Sequence, residues 1–145
     1  MGDEGIGCRV AQFMARRNDD PGVEVLDAGS AGMRLLHLIA GRTRVIIIDC
    51  ALMDEPAGTM KKLNPANLRT VKPQSGFSLH EGDVLKILDL ADNLGELPEC
   101  VVVFGIEPVV IKPGDTLSPL LASRVADYAE AVETEVARNR VPPFS

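Results

Sequence analysis

The stretch Arg-Val-Ile-Ile-Ile-Asp-Cys-Ala at residues 44–51 narrows the fold more than any other part of the chain. Successive side chains of a β-strand point to opposite faces. Val45, Ile46, Ile47 and Ile48 are therefore apolar on both faces, which fits a strand covered on both sides, as in a parallel sheet between layers of helices. The run is broken by Asp49. A carboxylate at that point stands where the strand leaves the sheet, and ligands of open α/β sheets bind beyond this carboxyl edge.

The rest of the chain alternates in the same sense. Residues 7–17 carry Val10, Phe13 and Met14 at helical spacing, with Arg16 and Arg17 in the last turn, where cations suit the helix dipole. After Asn-Asp-Asp-Pro-Gly, residues 23–29 alternate like a strand, and residues 32–41 read as a short helix ending at Gly41. Residues 59–63 read as a two-faced edge strand, and residues 64–78 as a loop containing Pro65, Pro73, Ser75 and Gly76. A helix is predicted over about 79–94, because Ser78 and Glu81 have capping-box spacing. A strand at 99–107, a loop with Pro108, Pro113 and Gly114, and a long helix at about 118–138 complete the pattern. Strands alternating with helices predict a three-layer α/β domain with a mostly parallel sheet. One domain is expected over 1–140, with a frayed tail at residues 141–145.

Bulk properties exclude several classes. The 145 residues suit a single core, and 46% apolar content argues against disorder. A net charge of −6 lacks the basic footprint that nucleic acid requires. Cys8, Cys50 and Cys100 are far apart and form no CxxC pair. They read as small thiols of a reducing compartment, not as a disulfide framework or zinc knuckle. No signal peptide is visible in the acidic, glycine-rich first residues, and the apolar runs are too short to span a bilayer. The reading is a cytoplasmic protein with no membrane partner.

Chemistry is sought among the acids and histidines of the predicted loops. Asp49 needs a partner or a cation if half-shielded at the sheet edge, and otherwise serves as a turn or N-cap residue. His80 sits in Ser-Leu-His-Glu-Gly-Asp. In a first helical turn the dipole favours its neutral, metal-binding form, although a plain surface histidine fits equally well. Glu4 lies in Asp-Glu-Gly-Ile-Gly, where acids also simply favour a helix start. Asp27, in Leu-Asp-Ala-Gly-Ser, either orients a substrate or closes a turn. Glu107 before Pro108 reads as structural, and His37 as a helix packing or surface residue. Together Glu4, Asp49 and His80 supply two carboxylates and an imidazole. That set suits a divalent transition metal with open positions, and is too lean for a closed structural zinc site.

The ordered stretches MGDEGIGCRV, VEVLDAGSAG, RVIIIDCA, FSLHEGD and VVVFGIEP resemble the signatures of the hydrogenase maturation endopeptidases over almost the whole chain, to about residue 135. Those enzymes trim the C-terminal extension of the nickel–iron hydrogenase large subunit, and their fold is a twisted sheet between helices. The resemblance places the family's metal-contacting trio on Glu4, Asp49 and His80, and a substrate-binding aspartate on Asp27. Ala28 and Ser30 depart from the family's DGGT-like stretch there. It further implies that the nickel belongs to the substrate, that the protease holds no tight metal of its own, and that its partner is the large-subunit precursor. A monomer is expected, for want of any evident interface helix. The family's first strand and GxGN-like turn have no counterpart here, so two strand edges are expected to be left open, and Met1 is expected to be an internal methionine. Two other readings remain: a non-cleaving relative that binds the large subunit or nickel, and a flavodoxin-type ligand-binding domain, which the lack of a phosphate loop opposes.

Overall fold

The computed structural model describes residues 5–27, 34–63, 78–79, 83–109 and 116–138. Helix α1 spans Ile6–Arg17 and α2 Arg34–Ile39. Strand β1 follows at Arg44–Leu52, β2 at Met60–Leu63 and β3 at Ser78–Leu79. Helix α3 covers Asp83–Asn93, β4 Cys100–Ile106 and α4 Pro119–Arg138. The sheet order is β2-β4-β1-β3. The α/β class predicted from the alternation is the one observed.

The apolar periods explain the layers. Strand β1 runs parallel to β4, with Ile46 opposite Val102, Ile48 opposite Phe104 and Cys50 opposite Ile106. On that face Cys50, Val102, Phe104 and Ile106 pack with Ile6, Val10 and Met14 of α1 and with Leu121, Tyr128 and Val132 of α4. On the other face Val45, Ile47, Ala51 and Val103 pack with Leu36 and Ile39 of α2 and with Ile87, Leu88 and Ala91 of α3. Both faces of β1 are thus covered by helices, as its unbroken apolar run requires. The parallel β1–β4 pair is central, whereas the short strands β2 and β3 join antiparallel. The sheet of the described residues is therefore mixed, not mostly parallel.

Two local expectations are corrected. Residues 23–27, read as part of a strand over 23–29, join no ladder; residues 28 and 29 lie outside the described residues. Their side chains do alternate, with Val23 and Val25 half-buried and Glu24 and Leu26 exposed. Period-2 burial reports which way side chains point, but says nothing of a backbone partner. Between this segment and β1 runs a groove of about 850 Å³, lined among others by Val23, Val25, Asp27 and Arg44–Ile48. Along Arg44–Ile48 the edge of β1 that faces away from β4 joins no ladder among the described residues, and these five residues are only half-buried. The second correction concerns Ser78. It is not a helix cap: it pairs with Leu52 in β3, and the described helix starts at Asp83. Leu79, which would be the first helical residue after a Ser78 cap, is extended and paired with Ala51, so the helix does not begin there.

The amino end of the sheet is closed by charge. Glu135 of α4 is buried and forms an ion pair with Lys62 of β2. Arg44 at the start of β1 donates from Nη2 to the Glu135 carbonyl at 2.6 Å and from Nη1 to the Val136 carbonyl at 3.0 Å. The hydrogen bond from Lys62 holds the Glu135 carboxyl below its ordinary range against the opposing effect of burial, with Arg44 and Arg138 adding to the attraction.

Candidate active site

The opposite, carboxyl end of the sheet carries Asp49. It lies in the β1 ladder opposite Gly105. By strand alternation it points to the face of Ile47 and Ala51, towards α2 and α3. The residue is half-buried, and its Oδ1 accepts the N–H of Cys50 at 2.9 Å. Strand β1 therefore brings a carboxylate to the edge without withdrawing it from solvent, as the sequence predicted.

Two close approaches build the surroundings of Asp49. Helix α1 begins against β1, and a Cβ on Gly7 would lie 2.2 Å from the Ile48 carbonyl oxygen and 3.6 Å from the Asp49 Cα. Only glycine lets the first turn of α1 sit this near the strand. On β4, a Cβ on Gly105 would lie 2.8 Å from Ala51 Cβ and 3.1 Å from Met53 Sδ. The side chain missing from Gly105 leaves the room beside Asp49 that Ala51 and Met53 fill. Strand β3 closes the third side by pairing Leu79 with Ala51.

Beyond β1 the chain turns through Met53–Thr59 into β2. Asp54 has φ +58°, the left-handed geometry uncommon outside glycine, asparagine and aspartate. The buried Glu107, just past β4, accepts the N–H of Met53 at 2.7 Å and of Glu55 at 3.2 Å. Its structural reading from sequence holds; the receiving turn was not legible there. The one available signal was an acid directly after a wholly apolar strand.

The other sequence candidates distribute as follows. Glu4 and His80 lie outside the described residues. They adjoin Gly5, which precedes α1, and Leu79, which pairs with Ala51. Asp27 is exposed, and its Oδ2 accepts a hydrogen bond from Gln12 Nε2 of α1 at 2.8 Å. It lines the groove together with Gly7 and Ile48. His37 is exposed on α2. Cys8 and Cys100 are half-buried and Cys50 is buried, and none of the three is in a disulfide among the described residues. No group of three metal-binding side chains forms among the described residues, which include only Asp49 of the trio.

Residues 8–135 match the family described as hydrogenase maturation protease (HycI). The chain belongs to that family. Among proteins of the hydrogenase maturation proteases, the hydrogenase 2 maturation protease of Escherichia coli K12 is 30% identical over 132 residues, covering 90% of this chain and 80% of that protein. The hydrogenase expression/formation protein HupD of Thiocapsa roseopersicina is 27% identical over 130 residues, covering 88% of this chain. This chain spans only 59% of the length of that HupD and 64% of a HoxM from Cupriavidus necator. The solved structure of the hydrogenase maturating endopeptidase HybD from E. coli superposes with a TM-score of 0.78 at 30% identity, covering 95% of this chain and 86% of HybD. The three-layer arrangement around Asp49 is thus a maturation-protease fold. No helix among the described residues is long and apolar enough to cross a membrane.

Proposed function

We propose that this chain is an endopeptidase that removes the C-terminal extension of a nickel-loaded nickel–iron hydrogenase large-subunit precursor. The observation that carries the reading is the position of Asp49 in a maturation-protease fold, at the sheet edge where α1 begins and β3 pairs. Glu4 adjoins the first of these elements and His80 the second, so chain connectivity favours a common site for the three. Two carboxylates and one imidazole suit a divalent ion of borderline softness that also keeps thiolate ligands from elsewhere. The nickel therefore belongs to the substrate and is inspected by Glu4, Asp49 and His80 before cleavage. Asp27 contributes to holding the precursor, with Gln12 fixing its carboxylate. The protein acts as a cytoplasmic monomer, without nucleic acid or membrane.

The test is the intact mass of the hydrogenase large subunit in the native strain and in one lacking this gene. Accumulation of a heavier, C-terminally extended subunit in the deletion strain is expected. Equal masses would overturn the reading, and binding of the precursor by a protein that leaves its mass unchanged would mark a non-cleaving relative instead.

A further inference from the structure

The described residues contain two buried carboxylates: Glu135 at the amino end of the sheet, and Glu107 at the end that carries Asp49. The task of Glu107 follows from its contacts. Its Oε1 receives the N–H groups of Met53 and Glu55, and Asp54 between them has the left-handed geometry that turns neighbouring N–H groups towards one anion. The main chain of the same residue holds the far end of the turn. Glu107 donates its N–H to the Thr59 carbonyl, and Gly58 donates to the Glu107 carbonyl, both at 2.8 Å. The Tyr128 hydroxyl of α4 adds a hydrogen bond to the Gly58 carbonyl at 2.6 Å.

Any residue at 107 except proline would supply the main-chain pair. Among the described residues the carboxylate acts only on Met53–Glu55. That short segment matters because Met53 Sδ packs beside Gly105, the ladder partner of Asp49. From this arrangement we infer that Glu107 is a positioning residue: by anchoring Met53–Glu55 it fixes the wall beside Asp49, and with it the position of the Asp49 carboxylate. The inference rests on the endopeptidase reading. Small displacements of such a wall reduce the rate of the bond-breaking step more than they weaken binding of a large protein substrate held elsewhere.

Three variants of the full chain test it against purified nickel-loaded precursor: Glu107→Ala, Glu107→Gln and Asp54→Val. Cleavage is followed by mass, and backbone amide exchange is read in parallel. In Glu107→Ala the amides of Met53 and Glu55 should exchange about tenfold faster, those of Val102–Phe104 should stay unchanged, and kcat should fall about tenfold with KM altered less than about twofold. Glu107→Gln keeps an oxygen that accepts both N–H groups, and should remain within about threefold of wild type in both readouts. Asp54→Val strains the same turn from its exposed side and leaves Glu107 in place, so it should reproduce the kcat loss even if Glu107→Ala does not fold. Wild-type kcat in Asp54→Val or in a folded Glu107→Ala overturns the positioning role, as does unchanged exchange at Met53 and Glu55. Wild-type protein that leaves the precursor uncut removes the endopeptidase reading and the positioning role with it, whereas failure of the variants alone to differ removes only the latter.

Discussion

Asp49 is where sequence, fold and proposed chemistry meet. Its side chain is half-buried at the carboxyl end of the sheet, and its Oδ1 accepts the next residue's N–H. Asp49→Ala is expected to abolish precursor processing while changing stability by less than about 1 kcal/mol. The paired measurements are the mass of the large subunit and the urea midpoint of the purified variant. His80→Ala should behave in the same way, and processing by both variants would show that the trio is misassigned. Ile47 makes the contrast: it packs against the α2–α3 layer, and Ile47→Ala should cost about 2 kcal/mol, the low end for an aliphatic truncation at a half-buried site. Asp49 was legible because an acid interrupts an isoleucine run. Gly105 was not, since nothing in Phe-Gly-Ile says that this glycine pairs with an aspartate on the neighbouring strand.

At the scale of elements, what was legible follows from what periodicity encodes. The periods of α1, β1, β4 and α4 are set by which face meets the core, and all four were found near their predicted limits. Residues 23–27 show the same kind of signal without becoming a ladder strand, because strand formation also needs a partner edge, and that edge is remote in sequence. Ser78 failed for a related reason: a capping signal is local, and a long-range pairing with Leu52 overrode it. The seat of α1 on β1 yields a test of its own. Gly7→Ala would drive a methyl group into the Ile48 carbonyl at 2.2 Å, a backbone atom that cannot swing aside. The helix must lift from the strand, and a loss of about 2–3 kcal/mol is expected in chemical denaturation. Because Glu4 adjoins Gly5, the N-cap residue of this helix, the same variant should also lower processing.

Across the whole molecule, the two ends of the sheet differ in kind: one is tied by an ion cluster, the other carries the proposed chemistry. The tie has a defined pH signature. Glu135 has a folded-state pKa below its ordinary value of 4.5, chiefly through Lys62, so its contribution is present in full above that value. It is lost as the pH falls from there through the lower folded value. Glu135→Gln should therefore be less stable than wild type at pH 7, and the gap in melting temperature should close as the solution is acidified below 4.5. A gap that stays constant down to pH 3 would show that the cluster contributes by shape alone.

The groove beside β1 gives the central strand two unlike sides. Amides of a strand point alternately to its two neighbours. Those directed at β4 lie inside a ladder, while those of Arg44–Ile48 directed at the groove meet no ladder among the described residues. Deuterium should therefore enter this strand in an odd–even rhythm, one residue fast and the next slow, although every side chain along it is apolar from Val45 to Ile48. Hydropathy plotted along Val45–Ile48 is uniform, whereas the solvent labelling of the same residues would not be.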